Sequence, residues 1–191
     1  MGLVYFNSYD HPVFMNEIKI RPATIDDRAF IRAVSERTWP STYGHIISQE
    51  QIDFMLDWMY SDQSLAEQFA KGHQFFIANL NGEDIGFCSV SEELNGADNE
   101  KLVLSNSLKQ YKLNKLYVLP MAHGTGAGKA LLQKAIDTAQ AEGASSLFLQ
   151  VNKHNNAYSF YLKQGFVKEA EFKFDIGNGF YMDDYVMRLS F

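Results

Sequence analysis

The chain has 191 residues (21.8 kDa), 46% of them apolar, which is the length of one domain with enough apolar side chains for a sizeable core. Its 17 Lys and Arg against 23 Asp and Glu leave a formal charge of −6 and a pI near 5.3. That balance argues against general nucleic-acid binding and leaves room for a cationic substrate. A single cysteine, Cys88, excludes an intramolecular disulfide and Cys-rich metal sites, and its apolar run Ile85-Gly86-Phe87-Cys88 makes it a small core residue. No apolar stretch reaches the ~18 residues that cross a bilayer. No signal peptide is visible, and Met1-Gly2 lacks the myristoylation pattern because Phe6 stands where Ser or Thr is required. The expectation is a cytoplasmic protein without a membrane or nucleic-acid partner.

Residues 1–14 lack a clear period and read as an N-terminal extension, with one domain over 15–191. Asn16 to Arg21 alternates like a strand that Pro22 ends. Thr24 with Asp27 resembles a capping box, and Ile25, Ala29, Phe30, Ala33 and Val34 follow at helical spacing. Ser48 with Gln51 caps a second helix through Met59, and a short third helix is expected over Leu65 to Lys71. Phe75–Ala78 and Ile85–Val90 flank Asn81-Gly82, a two-residue hairpin signal.

Residues 91–110 are polar and irregular, and read as a long excursion. Leu113 to Leu119 is a strand, Gly126 to Glu142 a helix stopped by Gly143, and Leu147 to Val151 a buried parallel strand. A helix over Asn156 to Gln164 precedes an antiparallel pair, Phe166 to Phe174 with Phe180 to Leu189. An antiparallel hairpin followed by strand–helix–strand–helix–strand implies one mixed α/β sheet with helices on its faces.

Chemistry concentrates in the strand-to-helix turn Pro120-Met121-Ala122-His123-Gly124-Thr125-Gly126-Ala127-Gly128-Lys129. Glycines there let the backbone approach a ligand, and the free amides of a helix's first turn form an anion site suited to a pyrophosphate. A P-loop built on Lys129 would need Gly at 123 and Ser or Thr at 130, where His123 and Ala130 stand. A dinucleotide fingerprint from Gly124 would need a third glycine at 129. A nucleotide enzyme therefore fits poorly.

Leu116-Tyr117-Val118-Leu119-Pro120, then His123-Gly124-Thr125-Gly126-Ala127-Gly128 and Leu131-Leu132, resembles the coenzyme A loop of the GNAT family of N-acetyltransferases. Gly126 and Gly128 match that family's pattern, and His123 occupies its Gln/Arg position. Val151 to Phe166 is similar to the family's second segment, with Ala157, Phe160, Tyr161, Gly165 and Phe166 in register and Asn155 as the nearest amide for the pantetheine arm. The resemblance covers residues 17–191 and is most specific over 113–166.

The resemblance implies a single-domain GNAT-like α/β fold: a mixed, mostly antiparallel twisted sheet with helices on both faces. It implies acetyl-CoA as co-substrate, no metal, and direct attack by an amine in a ternary complex. It also implies a coenzyme A site over Leu116 to Val118 and His123 to Lys129 with Asn155, and Tyr161 as general acid. Stretches around Trp39 to Tyr43 and Phe174 to Met187 are similar to branches that acetylate diamines and polyamines. Trp39 and Tyr43 then line an acceptor pocket, or else close the first helix on the sheet. The family's usual Glu before the loop is missing from Tyr111-Lys112-Leu113-Asn114-Lys115, so the base is unassigned. The carboxylates of Asp183-Asp184 point to opposite faces of a strand and read as a solvated edge. The aromatic C-terminal segment, Phe172, Phe174, Phe180, Tyr181 and Tyr185, suits a homodimer. Acetylation of a protein or peptide amine, or a silent CoA-binding module, are the alternatives.

Overall fold

A computed structural model describes residues 17–93 and 109–191. The expected extension over 1–14 and most of the expected excursion over 91–110 lie outside the described residues. β1 (Ile18–Pro22) leads through a 3-10 turn at Ile25–Asp27 into α1 (Arg28–Tyr43), α2 (Gln49–Tyr60) and α3 (Asp62–Ala70). β2 (Gln74–Leu80), β3 (Glu83–Glu93) and β4 (Gln110–Val118) follow, then α4 (Ala127–Ala141), β5 (Ser146–Asn152), α5 (Ala157–Lys163), β6 (Val167–Gly177) and β7 (Phe180–Ser190). The seven strands form one sheet in the order β1-β2-β3-β4-β5-β7-β6, antiparallel except for β4 and β5.

Local chemistry explains the starts and turns. The Asp27 carboxylate accepts from the Thr24 backbone N–H at 2.7 Å, and the Ser48 hydroxyl caps α2 by accepting from the Gln51 N–H at 3.2 Å. Asn81-Gly82 joins β2 to β3 with both residues at positive φ, 52° and 99°, the geometry that twists a two-residue hairpin correctly. Asn178-Gly179 does the same between β6 and β7, at 56° and 77°.

The pleat divides the core between two faces. Phe76, Ala78 and Cys88 pack with Leu131, Leu132 and Ala135 of α4 and with Leu147 and Leu149 of β5. Phe75, Ile77 and Phe87 pack on the other side with Ile31, Val34 and Trp39 of α1, Ile52 and Met55 of α2, and Leu65 of α3. Cys88 is fully buried, which pushes its thiol pKa up and keeps it inert.

β4 begins three residues before the expected strand, at Gln110, because its first half pairs with Glu93 to Val90 of β3 on one side and with β5 on the other. Asp183 and Asp184 are not a shared solvated edge: Asp184 is 4% exposed inside β7, whereas Asp183 meets Lys153 Nζ at 2.7 Å.

Candidate active site

β4 and β5 pair in parallel from Gln110 with Ser146 to Leu113 with Leu149, and then part. The β3–β4 register slips at the same level: Val90 faces Leu113 and Ser89 faces Lys115, leaving Asn114 as the extra residue of a bulge. A bulge bends its strand and increases local twist, so β4 swings away from β5 here. Asn114 is held in the bulge by its Nδ2, which donates to Ser91 Oγ at 2.9 Å.

The parting opens two connected spaces. A cleft of about 910 Å³ lies between the start of α4, α5 and the end of α1. A smaller cavity of about 340 Å³ lies between α1, α2 and strands β4, β5 and β7. Tyr43, Leu113, Asn114, Lys115, Tyr117 and Gln150 line both, so the spaces meet through the gap in the sheet.

The larger cleft gathers most of the expected cofactor residues. Gly124 and Gly126 stand at φ +80° and +93°, and Gly126 is the N-cap of α4. That conformation turns the loop back on itself and leaves the first N–H groups of α4 without intrahelical acceptors. Ala127 and Gly128 line the cleft, with Lys129 at its exposed rim. A Cβ on Gly128 would only touch Leu116 and Val118, at 4.0 Å each, so those two side chains form a floor beneath the helix start.

Three expected residues serve differently. The Thr125 side chain does not line the cleft; its hydroxyl donates to the Ala122 carbonyl at 2.7 Å and so shapes the loop. His123 lines the cleft, but its Nε2 lies 3.0 Å from the Val118 carbonyl. With that nitrogen protonated, the ring ties the loop to β4, and Nδ1 donates only when the imidazole is charged. Tyr117 turns its ring to the other face, against Trp39, Tyr60 and Phe87, with its hydroxyl 3.4 Å from that of Tyr43.

Asn155 faces the cleft at the head of α5, where its Oδ1 accepts from the Ala157 N–H at 2.8 Å. Tyr161 lines the same cleft from α5 and is 8% exposed, and burial raises its phenol well above the usual tyrosine value. It therefore stays protonated at any physiological pH.

The smaller cavity unites both readings of Trp39 and Tyr43. Their rings pack at a 45° tilt with centroids 4.6 Å apart and close α1 on the sheet, and they also form the cavity wall. Of the C-terminal aromatics, Phe174 and Tyr181 line this cavity, Phe180 packs on Phe54, and Tyr185 packs on Tyr158.

The sequence reading missed this cavity's charged residues. Lys112 and Lys115 enter its wall from β4, and Asp184 from β7. Burial, with Asp183 adjacent, pushes the Asp184 carboxyl up to about 6. Burial, with Lys112 near, lowers Lys115 to about 7. The signal was available: two lysines in a central strand, and a carboxylate pair of which one member had to face inward.

No cluster of His, Cys, Asp and Glu among the described residues could hold a metal ion. No helix among them is long and apolar enough to cross a membrane.

The sequence model of the acetyltransferase (GNAT) family matches residues 31–166, from α1 to the end of the Tyr161 segment. The chain belongs to that family. It is an acetyl-CoA-dependent N-acetyltransferase. An uncharacterized N-acetyltransferase of Mycobacterium tuberculosis is 31% identical over 159 residues, 82% of this chain and 93% of the relative. A spermidine N(1)-acetyltransferase of Thermoplasma acidophilum is 27% identical over 158 residues, 80% of this chain and 89% of the relative. The crystal structure of the PaiA N-acetyltransferase of Thermoplasma acidophilum in complex with coenzyme A superposes with a TM-score of 0.73 at 25% identity, covering 92% of this chain and 99% of that one. The ribosomal-protein-S18-alanine N-acetyltransferase of Escherichia coli shares the fold, with a TM-score of 0.64 at 19% identity over 91% and 94% of the two chains.

The residues present suit coenzyme A. The left-handed glycines and the Gly128 and Lys129 N–H groups of the first α4 turn fit a pyrophosphate, and where the strands part β4 has no β5 partner over Asn114 to Tyr117, which suits an amide-containing arm.

Proposed function

We propose that the protein acetylates a primary amine of a small molecule, by direct attack of the amine on acetyl-CoA in a ternary complex. The observation that carries this reading is the gap between β4 and β5, which joins a cleft suited to coenzyme A to a smaller, half-open cavity. A volume of about 340 Å³ suits a small molecule better than a folded protein surface. The related spermidine N(1)-acetyltransferase makes a polyamine the reference acceptor.

An alkylammonium of pKa about 10.4 must lose its proton before attack, a cost of roughly 4–5 kcal/mol at neutral pH. Asp184 is the residue we assign to take that proton: it lines the acceptor cavity and, with a pKa of about 6, is mainly ionised at pH 7 yet more basic than an ordinary carboxylate. The freed nitrogen forms the new N–C bond while the C–S bond breaks. Tyr161, a neutral phenol on the donor cleft, gives its proton to the departing thiolate, and the second proton that the nitrogen sheds as the amide forms restores the phenol.

Mass spectrometry of amine mixtures incubated with acetyl-CoA tests the reading. An acetylated amine formed by wild-type protein, and at a much lower rate by Tyr161→Phe, is expected. Coenzyme A binding without acetylation of any small amine would favour the silent binding module instead.

A further inference from the structure

The overall charge of −6 does not describe the acceptor cavity. Among the described residues, its wall carries the cations Lys112 and Lys115 against one anion, Asp184. Lys115 is 8% exposed, and its Nζ donates to a neutral partner, Gln68 Oε1, at 2.6 Å, with the Tyr60 ring 5.3 Å away. Lys112 stands over the Phe148 ring at 5.9 Å, with no ion pair within 4.0 Å among the described residues. The charges that act on it are Glu93 and Asp184. Asp183, the next carboxylate along β7, is engaged by Lys153.

Lys112 and Lys115 share the wall with a single carboxylate, Asp184, and neither lysine has an ion pair within 4.0 Å among the described residues, so an anionic group in the cavity would supply the partner that removing an ammonium from water calls for. The low pKa of Lys115 reports the same deficit, as does His73, whose imidazole is held at about 4 by burial and by Lys115 and Lys112.

We propose that the preferred acceptor is an amino acid: a carboxylate held by Lys112 and Lys115, and an amine that reaches Asp184 and the gap between β4 and β5. A diamine would place its second ammonium against the two lysines, where like charges repel in a low-dielectric site. This inference rests on the amine-acetyltransferase reading and names the class of acceptor.

Thiol release from acetyl-CoA is measured with ε-aminohexanoate, ε-aminohexanamide and hexanediamine, amines of one chain length whose far ends are negative, neutral and positive. The expected order of kcat/KM is aminohexanoate, amide, diamine, with about tenfold or more between first and last, the worth of one charge-assisted hydrogen bond. Lys112→Glu should invert that order, which a purely structural lysine would not do. A diamine preferred by the wild type, or three equal rates, overturns the inference and leaves the transferase reading standing.

If none of the three is acetylated, the transferase reading is the one in trouble, and binding then decides specificity. In the presence of coenzyme A, the fluorescence of Trp39 and Trp58 in the cavity wall should respond saturably to aminohexanoate at lower concentration than to the diamine. The reverse order overturns the inference.

Discussion

The two halves of the proposed active site are built in different ways. The donor cleft is mostly backbone: glycines at positive φ, the bare end of α4, and strand edges freed where β4 leaves β5. The acceptor cavity is mostly side chains from six separate elements, Trp39 and Tyr43 on α1, Gln51 and Met55 on α2, Lys112 and Lys115 on β4, Gln150 on β5, Phe174 on β6 and Asp184 on β7. A backbone-built site constrains sequence tightly, because only certain residues adopt the required conformations at the required spacing. A side-chain-built site can recruit from anywhere in the chain, so it sets specificity and leaves little local pattern.

Substitutions can break that contrast, and the largest effect is expected where the halves meet. Tyr161→Phe removes a proton and keeps the ring, so kcat should fall by about 10²–10⁴, the usual worth of general acid catalysis. Coenzyme A affinity by calorimetry should be unchanged. A kcat near that of wild type, where chemistry limits turnover, would remove Tyr161 from the mechanism.

On the donor side, Gly126→Val forces a β-branched residue to φ +93°. The strain is of order 1–3 kcal/mol, and the displaced loop should weaken coenzyme A binding by about tenfold or more. The acceptor cavity should be untouched, which amine titration followed by tryptophan fluorescence reads out.

On the acceptor side, Asp184→Asn should separate activity from stability. The wild-type rate should rise with pH through about 6 as the carboxylate ionises, and the variant should lose both rate and that limb of the profile. Stability should move the other way. The folded pKa lies above the ordinary carboxylate value, so the folded chain holds more protons between that value and 6, and stability falls as pH rises through this window. Removing the charge should therefore raise Tm at neutral pH by a few degrees. A lower Tm together with lower activity would mark Asp184 as structural.

Thr125→Ala should give the smallest effect. It deletes the hydroxyl's 2.7 Å bond to the Ala122 carbonyl, a loss of about 1 kcal/mol. Coenzyme A affinity should weaken only severalfold, because the side chain shapes the loop without lining the cleft.

The same contrast explains what could be read in the sequence. The glycine turn, the Asn81-Gly82 hairpin and the Ser48 cap are local, and each stands where its residues demand. The mixed sheet followed from the order of elements. The Asn114 bulge, by contrast, is a disagreement of register between β3 and β4, and it has no signature in β4 alone. His123 and Tyr117 sit in the expected segment, yet their rings turn to β4 and to the α1 side because nearby carbonyl and aromatic partners are available there. Asp184 was visible as an acidic residue on a strand, but its burial depends on α2 and β4 covering that face.

The proposed reaction requires donor and acceptor to occupy both spaces at once and to react through the gap between β4 and β5. Initial rates of thiol release, measured while acetyl-CoA and an amine acceptor are varied together, test it most directly. Intersecting double-reciprocal lines, with release that depends on the amine, are the expected result. Parallel lines, which indicate an acetylated protein intermediate, or release indifferent to every amine, would contradict it.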